Sequence, residues 1–212
     1  MTLRAHINHV LSSHSLTLRQ LMLIKWSLPS HALNTLITGL VHSQLDYCNI
    51  VSAGLPACNF QHLQSILNTA VHLVAGSSRR DHVTSLLRDR HWLPVKQRVG
   101  YKLCTIVHRC LYGEASPYLV DLITPSAAAS TRAGLRSATS MTITVPRMLS
   151  SFGDCSFAMA GPHMWNKLPS HLHVMQSADT FRCHLKTSFY FTRLFYHDIV
   201  RRSCCTPALM SL

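Results

Sequence analysis

Fifteen histidines, eight cysteines and eight carboxylates make metal ligation and acid–base catalysis the first chemistries to test against this chain of 212 residues. Spacing argues against both. A two-metal centre needs clustered carboxylates to hold its ions. Here no two acidic residues are adjacent, and the first carboxylate is Asp46. No Cys-x-x-Cys pair and no zinc-knuckle spacing occurs. Cys104 and His108 share a helical face, but two ligands do not make a site, and Cys204-Cys205 lies far along the chain. No Gly-x-Ser-x-Gly elbow presents a serine nucleophile. These patterns predict no catalytic residue, no bound metal and no cofactor.

The basic residues offer a different chemistry. Between Arg79 and Arg109 stand eight of the twenty Lys and Arg residues, with two carboxylates, Asp81 and Asp89. Arg79, Arg80, Arg88, Arg90, Lys96, Arg98 and Lys102 are placed to neutralise phosphates, which would make binding salt-sensitive. Trp92 stands among them and is able to stack on an unpaired base. The competing readings are structural. A solvated basic face keeps a connector soluble, and a tryptophan beside Leu93 and Pro94 plugs the joint between two helices. Arg182, Lys186 and Arg193 sit close together on one helical face as a second, weaker patch.

A formal net charge of +12 favours polyanionic partners, namely RNA, DNA or an anionic membrane surface. A hydrophobic fraction of 47% argues against general disorder. No run of eighteen apolar residues occurs, so no membrane span is expected. Arg4, His6, Asn8 and His9 interrupt any signal-peptide core. The cysteines are scattered, which predicts free thiols in a reducing compartment, the cytoplasm or nucleus.

The elements that position these residues follow from periodicity. Residues 1–15 are polar and His-rich, either a helical lead-in or a frayed start. Leu16 to Leu28 is apolar on most faces and predicts a buried helix. After Pro29, with Ser30 as a suitable N-cap, Leu33, Leu36, Ile37, Leu40, Val41 and Leu45 make one stripe. Asn59 is a candidate cap for a third helix, whose inward face is Leu63, Ile66, Leu67, Ala70, Val71 and Val74 and whose C′ residue is Gly76. Asp81 or Thr84 caps a short helix through Leu86 and Leu87. Pro94 opens a long helix with Val95, Val99, Leu103, Ile106, Val107, Cys110 and Leu111 inward, closed by Gly113. A turn from Ser116-Pro117 ends near Ile123. Residues 124–134 read as a linker. Thr142–Val145 is a short alternating strand. Trp165 is flanked by apolar neighbours, and Ser177 caps a last helix with Phe181, Leu185 and Phe189 on one side. The fold class is therefore mainly α. A helical bundle over 1–123 precedes a small α+β part with a short strand pair over 135–196 and a loose tail over 197–212.

An ordered series of short strings carries a resemblance. They are Leu45-Asp46-Tyr47-Cys48-Asn49 with Gly54-Leu55-Pro56, Leu63-Gln64 with Leu67-Asn68, and Asp81-His82-Val83-Thr84. They continue with His91-Trp92-Leu93-Pro94-Val95-Lys96-Gln97-Arg98, Leu135-Arg136-Ser137, Val145-Pro146-Arg147 and Phe152-Gly153. Trp165-Asn166-Lys167-Leu168-Pro169 and Phe181-Arg182 through Leu185-Lys186-Thr187 complete the series. Together they resemble the C-terminal part of the reverse-transcriptase polyprotein of non-LTR retrotransposons, nearest the long interspersed elements of the chicken-repeat type. The resemblance covers about residues 5–195. It implies a thumb-like helical region to about residue 123 and a C-terminal extension that holds template RNA or assists target-primed synthesis. It also implies that the palm, with its paired catalytic aspartates, is missing here and was the partner of these helices. The function expected on that basis is non-catalytic binding of an RNA or DNA backbone. The alternative is a non-binding helical remnant.

Overall fold

The computed structural model describes residues 3–47, 53, 57–78, 80–126, 141–147 and 156–191. The fold is mainly helical. In chain order the helices are α1 (Leu3–Ile24), α2 (Ser30–Ile37), α3 (Ser43–Asp46), α4 (Ala57–Ala75), α5 (Val83–Asp89), α6 (Val95–Leu111), α7 (Pro117–Val120), α8 (Phe157–Asn166), α9 (Ser170–His173) and α10 (Ala178–Phe191). A 3₁₀ turn over Lys25–Ser27 ends α1, and a π-helical turn over Thr38–His42 joins α2 to α3.

α6 is the axis of the molecule. Its N-terminal half gives Val95, Val99 and Leu103 to one apolar cluster, built with α1, α2 and α4. Its C-terminal half gives Cys104, Val107 and Cys110 to another, built with Trp165, Leu172, Phe181, Leu185 and Phe189. One 17-residue helix serves both because its apolar positions run around the cylinder. Gly100 and Gly161 permit the close approaches. A Cβ on Gly100 would lie 2.6 Å from Met164 Cε, and one on Gly161 would lie 3.0 Å from Val107 Cγ2.

Three helices end the same way. Gly76, His91 and Gly113 adopt positive φ of 65°, 55° and 73°. The next residue's N–H then bonds back five positions: Ser77 to His72 O, Trp92 to Leu87 O, and Glu114 to Arg109 O. These are Schellman ends, which satisfy carbonyls the helix leaves orphaned. Glycine reaches that conformation without a Cβ penalty. Histidine at position 91 is a costlier occupant, and no glycine there marked the end of α5 in the sequence.

Several expectations change. α1 was expected to be buried. It buries Val10, His14, Leu18 and Leu21, but leaves Leu16, Met22, Leu23, Ile24 and, past its end, Trp26 exposed. The helix packs on α4 along one side, and nothing among the described residues covers the other. Ser30 is the first residue of α2 rather than its cap, which is Pro29. α4 starts at Ala57, so Asn59 lies within its first turn. His82, not Asp81 or Thr84, precedes α5. Asp81 instead accepts a 2.8 Å bond from the Ser78 N–H and shapes the preceding turn.

Among the described residues the expected strand pair reduces to an isolated bridge, whose other side is the start of the expected linker. Thr142–Val145 meets Thr124–Ser126 through one antiparallel bridge, Pro125 to Ile143. Ser126 N bonds Thr142 O and Thr144 N bonds Thr124 O, both at 2.9 Å. The other neighbour of Ile143 is a side chain. Asn166 Oδ1 accepts from Ile143 N at 2.9 Å, and its Nδ2 donates to Ile143 O at 2.8 Å. One amide thus imitates a partner strand. Most of the linker, residues 127–134, and the tail 197–212 lie outside the described residues.

Candidate nucleic-acid interface

The structure separates the basic strip into cations held by the protein and cations facing solvent. Arg98 belongs to the first group. Its Nε and Nη2 meet Asp46 Oδ1 and Oδ2 at 2.8 and 2.6 Å. Its side chain is 15% exposed, so the fork is largely withdrawn from water. Such a bidentate pair fixes geometry as well as charge. Arg98 Nη1 also donates to His42 Nδ1 at 3.4 Å. Arg90 is half-buried and donates from Nη2 to Val74 O at 3.1 Å, sealing the end of α4.

Trp92 is a correction to the stacking reading. It is 8% exposed and belongs to the first apolar cluster. The Schellman end of α5 turns it back onto Leu87, and its ring meets the His42 ring edge-on at 4.2 Å. It plugs the joint between α5 and α6 and is closed to a base.

His42 lies between these groups. It is buried, and its Nε2 has no hydrogen-bond partner among the described residues. Burial first, and then the Arg98 cation, hold its pKa down to about 4, against an upward pull from Asp46. The ring is therefore neutral at pH 7, with Nδ1 accepting from the guanidinium.

Of the expected phosphate contacts in the strip, Arg80, Arg88 and Lys102 are exposed. None of them forms a side-chain ion pair with a described residue. Arg80 precedes α5, Arg88 lies in its last turn, and Lys102 is midway along α6. Lys96, in the first turn of α6, is half-buried, and its pKa is lowered by burial and by the nearby cation of Lys167. In the second patch, Arg182 pairs with Asp179 at 3.2 Å on the surface of α10, and Lys186 follows one turn later, half-buried. α10 packs on α6, and Arg182 tempers the rise that burial imposes on the Tyr101 phenol of that helix. Arg79 and Arg193 lie outside the described residues.

Three further side chains, none of them assigned a binding role from the sequence, complete the picture. Gln64 of α4 accepts from Val95 N at 2.9 Å, satisfying a first-turn donor of α6 that Pro94 cannot cap. Trp165 is fully buried, donates from Nε1 to Met141 O at 2.8 Å and stacks on His173. At the surface, Trp26 is 87% exposed with Lys25 Nζ 4.6 Å from its ring centroid. Its apolar neighbours made it read as core.

Among the described residues, no group of three or more His, Cys, Asp or Glu could hold a metal ion. Cys58, Cys104, Cys110 and Cys183 are free thiols. No described helix is long and apolar enough to cross a membrane. No family model, curated protein or solved structure matches the chain.

Proposed function

We propose that this chain is a non-catalytic helical module of a non-LTR retrotransposon reverse transcriptase, one that binds an RNA or DNA backbone without reading sequence. The observation that carries this reading is where the resembling strings meet. Asp46 of the first string pairs with Arg98 of the fourth. Gln64 of the second bonds the Val95 N–H of the fourth. Trp165 packs 5.7 Å from Phe181, joining the last two strings. The residues that carry the likeness are the braces between helices, as expected if they specify this shared helical architecture. The net charge of +12 supports a polyanionic partner. The contact residues in this reading are the exposed Arg80, Arg88 and Lys102, together with the half-buried Lys96 and Lys186. Trp92, Arg90 and Arg98 build the scaffold instead.

A second reading, a packing module with no nucleic-acid role, is favoured by the same bonds, since they occupy part of the basic strip. Binding of single-stranded RNA across a salt series separates the two. Phosphate contact requires log K to fall with log salt by about 0.7 per contact for single strands. The triple variant Arg80→Ala, Arg88→Ala, Lys102→Ala then binds more weakly and with a shallower slope. Absent binding, or affinity indifferent to salt, sinks the phosphate reading and leaves the packing module.

A further inference from the structure

The corner where α1 gives way to its 3₁₀ turn carries a second, independent feature. Of the three tryptophans, Trp92 and Trp165 are buried at 8% and 0%, while Trp26 is 87% exposed. A bare indole gives up the burial that stabilises the other two. Lys25 Nζ stands 4.6 Å from its ring centroid, within cation–π range. Leu23, 81% exposed, and Arg19 lie on the same outward side of the helix. No carboxylate occurs anywhere before Asp46, so this corner has no local acidic counter-charge in sequence.

We propose that Trp26, with Lys25 and Arg19, is a stacking site for an unpaired base of a single-stranded nucleic acid. The physical logic has three parts. The flat indole offers a π-face to any base, which makes the contact sequence-tolerant. Lys25 sits over one face of the ring and leaves the other to a base, and with the exposed Arg19 of α1 it supplies positive charge for the neighbouring phosphates. The absence of acids up to Asp46 disfavours a cationic partner, and a second copy of this same face would oppose like charges. The inference rests on the nucleic-acid reading above, but it concerns a different surface and a different interaction.

The test separates base from phosphate. Oligo-dT and an abasic deoxyribose-phosphate oligomer of equal length are titrated against the whole chain, followed by anisotropy and tryptophan emission. Stacking predicts that oligo-dT quenches the emission and binds roughly ten-fold tighter than the abasic oligomer. Trp26→Ala then removes the quench and the preference, and leaves the abasic affinity unchanged. The residue is exposed, so a circular dichroism spectrum matching the parent checks that the fold is retained. Equal, salt-dependent binding of both oligomers overturns stacking while the phosphate reading stands. Binding of neither overturns both. A quench that persists in Trp26→Ala places the base elsewhere. A blue shift of Trp26 emission on raising protein concentration alone, or on adding phosphatidylserine vesicles, assigns the corner to self-association or to a membrane surface and overturns the proposal.

Discussion

Asp46 and Arg98, separated by 52 positions, close a two-bond ion pair that ties the end of α3 to the first turns of α6. The pair is only partly screened by water, with side chains 35% and 15% exposed. It converts a cation that the sequence offers to a ligand into a clamp between two helices. Its loss leaves the partner's charge half-desolvated beside His42.

Asp46→Asn is therefore expected to destabilise the chain by about 2 kcal/mol, between the value of a surface pair and that of a buried one. In a domain of this size that lowers Tm by roughly 4–8 °C. Thermal unfolding followed by circular dichroism checks it. A Tm within a degree of the parent would show that the pair contributes nothing to the packing.

Acid is expected to loosen the same joint. The folded pKa of His42, about 4, lies below its ordinary 6.5. The unfolded chain then binds the proton more readily than the folded one between those values. The stability His42 contributes is fully present above pH 6.5 and is lost progressively as pH falls toward 4. His108 adds in the same direction, since burial also lowers its pKa. Urea midpoints measured across pH 4–7 should decline on the acid side. His42→Phe should flatten that decline, and an unchanged slope in the variant would remove His42 from the account.

Asn166 is expected to act as the missing strand. Asn166→Ala strands the N–H and C=O of Ile143, a residue 2% exposed. Two backbone groups without partners cost about 2 kcal/mol even when water partly compensates. Asn166→Asp keeps the acceptor but sets a carboxylate oxygen against the Ile143 carbonyl, so it should not recover the stability of the parent. Amide hydrogen exchange at Ile143 reads the effect directly: faster exchange in the alanine variant is the expected result, and unchanged exchange would assign the protection to burial rather than to the Asn166 amide.

Much of the helical architecture is legible along the chain. The inward faces of α4 and α6 follow from residues three and four apart, and Gly76 and Gly113 announce where those helices stop. Even so, Ile106 and Leu111 of the expected face are only half-buried, because α6 is shared between two clusters. The end of α5 was not legible, because a histidine occupies the position where glycine would be the usual signal. The short α9 and the π turn at Thr38–His42 also carry no sequence mark, being shorter than the windows over which periodicity accumulates.

The charge of the chain, its helix-forming periods and its want of clustered carboxylates are properties of composition and spacing, and the sequence by itself determines them. Which cations face water is not. Arg98 and Lys102 stand one turn apart on one helix, yet one is clamped and the other exposed, because the carboxylate that decides between them arrives from a distant helix. Trp26 and Trp92 both sit among apolar neighbours, yet one is bare and the other covered. A local pattern reports that a face is apolar; whether another element covers that face is decided when the tertiary structure forms.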